Sequence, residues 1–190
     1  MDKKHIITLC GDLGSGKGAV STALAETLGY EIYRNGEYAR MLARNLGMNI
    51  TEFNIYVEKH PEIDNQIEES AAGYAKEHDN LIIDARLGWY AVPYSFKVYL
   101  KVDPDVAAKR AFYDEKRKSS EKFDTIEEQK QDMLKRVKLE NDRFFKIYGI
   151  HKDDMSNYDF VIDTTNLTVE EVKNEILEKY NIWLKENKIN

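Results

Sequence analysis

Residues Gly11-Asp12-Leu13-Gly14-Ser15-Gly16-Lys17-Gly18 fit the pattern G-x-x-x-x-G-K of a phosphate-binding loop. The glycines let successive backbone N–H groups converge on an anion, and a helix that follows presents the positive end of its dipole. Lys17 adds a full charge aimed at β- and γ-phosphates. The context is the required one. Residues 5–10 (His-Ile-Ile-Thr-Leu-Cys) are β-branched and apolar, which predicts a short buried strand. After the loop, Val20, Leu24 and Leu28 recur at helical spacing and Gly29 ends the run. Gly11, Asp12, Leu13, Gly14, Ser15, Gly16, Lys17, Gly18 and Ala19 are therefore the expected triphosphate cradle. One position departs from the pattern: Gly18 stands where a serine or threonine usually follows the lysine, and Ala19 comes next. With no hydroxyl there, a metal ion would be held by phosphates, waters and a carboxylate such as Asp84 acting through water, with no direct protein ligand.

Working outward, the chain alternates between strand-like and helix-like runs. Tyr30–Tyr33, Leu81–Asp84, Phe96–Val102 and Tyr158–Asp163 read as further strands. Helices are expected at 37–46, stopped by Gly47, and then after Asn49 or Thr51 as a cap, with Glu52 in the first turn. More are expected at 62–77 after Pro61, from Asp103-Pro104 through Arg110, from 125 to 148, and from 168 to 185. The polar stretch 115–124 reads as a mobile loop. Such alternation predicts an α/β fold, a five-stranded parallel sheet covered by helices on both faces. Ligands in such sheets sit beyond the carboxyl ends of the strands, where the glycine loop, Asp84 and Asp103 all fall.

Composition narrows the function classes. The 190 residues suit a single domain. Lys+Arg 28 against Asp+Glu 34 leaves −6, which argues against gripping polymeric nucleic acid and against a polybasic membrane anchor. Cys10 is the one cysteine, so no internal disulfide forms, and it reads as a buried apolar filler. No apolar run approaches the ~20 residues of a membrane span, and the first residues lack a secretory core, so a cytoplasmic protein is expected. The four histidines show no metal-ligand spacing. A monomer is the simpler expectation.

Beyond the loop, several short stretches occur in a recognisable order: Asn35-Gly36-Glu37-Tyr38-Ala39-Arg40, Glu52-Phe53 through Pro61-Glu62-Ile63-Asp64, and Asp84-Ala85-Arg86-Leu87-Gly88-Trp89. Then come Arg136-x-x-x-Glu140-x-x-Arg143, Tyr148-Gly149-Ile150 and Tyr158-Asp159. Together with the loop they resemble the cytidylate kinases, in their archaeal-type, cytidylate kinase-like branch. The resemblance covers about residues 5 to 175, and its strength lies in the collinearity of motifs that are individually weak. It implies the P-loop NTPase fold with a helical monophosphate-binding insertion at 34–78 and a lid at about 111–127. It implies a kinase that uses ATP with Mg²⁺ to phosphorylate a nucleoside monophosphate, CMP or dCMP. Arg40 would hold the acceptor phosphate and Arg86 the same phosphate or the base edge, with Gly36 and Glu37 beside it. Asp64 would read base or sugar, and Arg136 and Arg143 would clamp phosphates as the lid closes. Arg110 would serve ATP, and Arg110 and Arg117 flank the lid. Lys17, Arg86, Arg136 and Asp84 form the expected catalytic set.

Each assignment has a plainer alternative. A surface arginine is usually a solvated charge, a carboxylate at a helix start is often only favourable dipole chemistry, and Asp84 could merely cap its loop. Trp89-Tyr90 could stack on a base or pack in the core. Two other functions stay open on the sequence. One is a kinase of a small-molecule hydroxyl, which wants a carboxylate base that Asp84 could supply, although Arg34 rather than an acid precedes Asn35. The other is a nucleotide-binding regulator with weak ATPase activity. No Asn-Lys-x-Asp run for guanine reading is present. All eight arginines lie between residues 34 and 143, while lysines run the whole length. The bulk charge therefore describes the surface, and the arginine cluster marks where polyanions are expected.

Overall fold

A computed structural model describes residues 4–48, 50–114 and 123–189. Five strands, β1 (Ile6–Gly11), β2 (Glu31–Arg34), β3 (Leu81–Asp84), β4 (Phe96–Lys101) and β5 (Phe160–Asp163), form one sheet in the order β2-β3-β1-β4-β5. Every neighbouring pair is parallel. β1 is central and buried along its whole length. Alternation sends its residues to opposite faces. Ile7 and Leu9 join Val98, Leu100 and Ile162 under α1 (Lys17–Leu28) and α8 (Val169–Glu186), through Val20, Leu24, Val172, Ile176 and Tyr180. Ile6 joins Leu81 and Ile83 on the other face, covered by Ala71 and Ala75 of α4 (Pro61–Glu77). The predicted α/β sheet with helices on both faces is the fold observed.

The span 34–78 forms α2 (Asn35–Asn45), α3 (Ile50–Glu58) and α4, which share a small core of Ala43, Phe53, Val57 and Ile67. Thr51 lies inside α3 rather than capping it, and Asn49 is outside the described residues. Two elements had no sequence signal long enough to read. A single helical turn, α5 (Gly88–Ala91), follows β3, and a 3-10 turn at Met155–Asn157 precedes β5. The second displaces the expected start of the last strand from Tyr158 to Phe160. α6 (Pro104–Tyr113) is capped by the Asp103 carboxylate, which accepts from the amides of Asp105 at 2.9 Å and Val106 at 3.2 Å. α7 (Ile126–Tyr148) opens with a capping box between Thr125 and Glu128. The expected lid falls largely on residues 115–122, with Arg117, outside the described residues. Among the described residues no helix is long and apolar enough to cross a membrane.

Candidate active site

The donor cradle is built where β1 hands over to α1. Gly14 has φ +81°, and a Cβ on it would stand 2.9 Å from the Cα and Cβ of Ala107, so the loop packs directly on α6. Gly16, at φ +84°, takes the left-handed turn into α1 and leaves the helix N-terminus open. Two side chains of the quoted loop are engaged within the fold. The Asp12 carboxylate accepts from the Tyr99 hydroxyl at 2.6 Å and from the Val102 amide at 3.1 Å, which anchors the loop to β4. Leu13 packs with Val102 and Ala107. Their contribution to a bound triphosphate is left to their backbone. Ser15 is buried, and its carbonyl accepts from the Thr164 hydroxyl at 3.1 Å. Arg110 stands on that side, donating to the carbonyls of Thr164 at 2.8 Å and Thr165 at 3.2 Å. It is held against the turn after β5, away from the cavity described next.

That cavity, of about 420 Å³, opens at the carboxyl ends of β1, β2 and β3 and is shared by both expected halves of the site. Lys17 enters it from the cradle and forms an ion pair with Asp84, whose side chain is 10% exposed. Burial, together with the cations of Arg86, Lys152 and Arg34, pushes the Lys17 ammonium down to about 8. Arg40, Arg86, Arg136 and Arg143 line the cavity from α2, the turn after β3, and α7. Arg34, Asn35, Gly36, Asp64 and Glu68 line it too. Sequence positions as far apart as 17 and 143 thus meet in one place. Glu37 does not. It is on the exposed side of α2, 3.6 Å from Arg34, because a helical step of one from Gly36 turns its side chain about 100° away. Trp89 sits edge-on against Tyr158 at 5.8 Å, in a cluster with Cys10 and Tyr99, so its ring is packing.

Ion pairs preset the arginines. Arg143 Nε lies 3.0 Å from Asp64 Oδ2, and the Asp64 side chain is 8% exposed. Burial raises the Asp64 carboxyl above the usual range, and the cations of Arg143 and Arg86 pull it back. Arg86 pairs with Glu140 of α7, which the R-x-x-x-E-x-x-R spacing had placed beside the arginines. Burial, with Arg136 and Arg143 close by, lowers the Arg86 guanidinium to about 10, so it stays charged at neutral pH.

Two polar residues at the inner end escaped the sequence reading. Asn35 is 7% exposed and its amide faces the Glu68 carboxyl, yet neither its amide atoms nor Glu68 Oε2 has a hydrogen bond of ordinary geometry among the described residues. A signal existed for both: Asn35 precedes the quoted Gly36, and Glu68 is four residues after Asp64, one turn along the same face. Unsatisfied buried groups of this kind are costly in an empty site and find their partners in a ligand. Burial pushes the Glu68 carboxyl up to about 7, Asp64 adding to the rise against the Asn35 amide and the two arginines. The unfolded chain ionises this group near 4.5. Between 4.5 and 7 the native state holds the extra proton, so Glu68 lowers stability progressively as pH rises through that window, and most above 7. Glu68→Gln is expected to raise the melting temperature by several degrees at pH 7.5 and by little at pH 4.5, up to about 3 kcal/mol at the higher pH. Differential scanning calorimetry at the two values checks this.

A parallel sheet, a G-x-x-x-x-G-K cradle at its central strand and a cavity ringed by arginines define a P-loop kinase, a phosphotransferase. The family model for the cytidylate kinase-like family matches residues 6–166. The chain is 36% identical over 162 residues to a cytidylate kinase of Thermoplasma acidophilum, covering 83% of this chain and 82% of that one. It is also 35% identical over 178 residues to an S-adenosylmethionine-dependent nucleotide dehydratase of Lacinutrix mariniflava, covering 93% of this chain but 36% of that longer protein. Among solved structures, shikimate kinase from Acinetobacter baumannii in complex with shikimate superposes with a TM-score of 0.59 at 20% identity, over 98% of this chain and 96% of that one, a likeness of fold. The chain belongs to the cytidylate kinase-like family.

Proposed function

We propose that the protein transfers the γ-phosphoryl group of ATP to the phosphate of CMP or dCMP, giving CDP or dCDP. One observation carries this reading. Lys17, at the mouth of the cradle, and the arginines suited to a second phosphate line a single cavity whose inner end holds buried Asn35 and Glu68 atoms without a hydrogen bond of ordinary geometry among the described residues. The donor binds along the loop N–H groups and the start of α1, with Arg110 and the turn at Thr164 bordering the cradle. The acceptor phosphate meets Arg40 and Arg86. A monophosphate's second pKa is about 6, so its attacking oxygen is already anionic at neutral pH and no general base is needed. Catalysis is then alignment and charge neutralisation, with Lys17 on the transferring group and Arg86 and Arg136 facing it from the acceptor side. Magnesium would come with the ATP substrate and supply charge neutralisation of the phosphates. Asp84 is the carboxylate that would hold it through water, since Gly18 and Ala19 offer no hydroxyl. At the inner end, Asp64 and Glu68 are hydrogen-bond acceptors matched to the 4-amino group of cytosine, which uracil lacks.

An acceptor panel tests the reading. With Mg²⁺ and ATP, CMP and dCMP are expected to be phosphorylated, and UMP less well by about 100-fold in kcat/KM. AMP and shikimate-like alcohols are expected to be poor acceptors. ATP hydrolysis that no monophosphate accelerates would replace this reading with that of a nucleotide-binding regulator. Turnover of an alcohol with Asp84 as base would replace it with a hydroxyl kinase.

A further inference from the structure

Behind the cavity lies a second, buried polar cluster that meets the proposed ligand position through Arg86 alone. Its centre is Lys152, in the turn between α7 and β5, with a side chain only 4% exposed. The Lys152 ammonium donates to Glu140 Oε1 at 2.6 Å. The other oxygen of Glu140 pairs with Arg86. One carboxylate, 7% exposed, is therefore shared by two cations, of which Arg86 alone reaches the cavity. The cluster is anchored on every side. The Tyr158 hydroxyl donates to the Lys152 carbonyl at 2.8 Å. The ring of Tyr158 stacks edge-on with Tyr99 at 4.9 Å, and Tyr99 in turn holds Asp12 of the cradle. The Cys10 thiol donates to the Arg86 carbonyl at 2.9 Å, so the arginine is fixed at its backbone and at its head.

We propose that Lys152 is a positioning residue for phosphoryl transfer, sharing Glu140 with Arg86 and thereby setting where the guanidinium points and how much positive charge it shows the acceptor phosphate. The charges explain the need. Glu140 with Arg86 alone is a neutral pair, and a buried carboxylate without a second partner draws the guanidinium into a two-pronged contact. The cavity then loses one positive charge where the acceptor brings two negative ones. With Lys152 occupying Oε1, Arg86 satisfies Glu140 through one edge and keeps the rest of its fork for phosphate. The cluster as a whole retains a net charge of +1 facing the site.

The proposal rests on Arg86 meeting the acceptor phosphate, and the test separates the two ideas. Binding of CMP and of cytidine is measured by calorimetry on the full chain. Wild-type protein that fails to bind CMP overturns the underlying function; a wild type that binds it leaves Lys152 to be judged by its variants. Lys152→Met is expected to weaken CMP by about tenfold, leave cytidine and ATP binding within about twofold, and raise the acceptor KM more than it lowers kcat. In a Glu140→Gln background the same substitution is expected to change CMP affinity by less than about twofold, because Lys152 acts only through that carboxylate. Equal losses in both backgrounds, or a parallel loss of cytidine, would show a merely structural role and overturn the proposal. If Lys152→Met does not fold, Lys152→Arg keeps the shared charge and must bind CMP within about threefold of wild type; a tenfold loss overturns it.

Discussion

Lys17→Ala is expected to lower the rate of ATP-to-CMP transfer by about 10³-fold, with saturating ATP unable to restore it, while the fold persists. The size follows from removing a full charge from the transferring phosphoryl group, where cationic contacts are worth about 10³–10⁵ in rate. The fold persists because the Lys17 side chain points into the cavity and belongs to no apolar core cluster; its loss leaves the Asp84 carboxylate, 10% exposed, without its cation, which lowers stability but leaves the sheet packing untouched. A coupled assay for CDP measures the rate and circular dichroism the fold. The same lysine carries a signature in pH. Its pKa of about 8 in the free protein reflects burial among cations, and a bound polyphosphate favours the charged form. ATP binding at pH 9 is therefore expected to take up a proton that binding at pH 6.5 does not. Calorimetry in two buffers of different ionisation enthalpy detects this, and the uptake disappears in Lys17→Ala.

Arg86→Met is expected to lower kcat/KM for the acceptor by about 100-fold, with little change in the KM for ATP. Two charge-assisted hydrogen bonds to the phosphate, at about 1.5 kcal/mol each, set that scale. The variant is expected to fold because Glu140 keeps a cation: Lys152 remains bonded to it at 2.6 Å, so no buried carboxylate is left alone. Steady-state kinetics with each substrate varied in turn separates this outcome from a loss of the donor site, which would raise the KM for ATP.

The cradle was legible because its chemistry is contiguous: eight residues hold the glycines, the lysine and the helix start. The sheet followed from strands that alternate with helices, and the arginines from a local excess that the net charge of −6 conceals. Arg34, Arg40, Arg86, Arg136 and Arg143 meet in one cavity, whereas Arg110 binds the turn after β5 and Glu37 points to solvent. Other residues carry no local signal, because their function depends on partners far along the chain. Lys152 is one lysine among many until the fold buries it against Glu140. Asn35 reads as a residue next to a glycine until its amide is enclosed facing Glu68. Asp12, which sequence groups with the phosphate loop, is turned toward Tyr99 by the register of β4.

In the proposed reaction, donor and acceptor phosphates meet across Lys17 and Arg86. A ³¹P NMR time course of the protein with ATP, Mg²⁺ and CMP tests it most directly. ADP and CDP are expected to appear in equal amounts, with no free phosphate beyond the level seen without CMP. Release of inorganic phosphate with no CDP would contradict it.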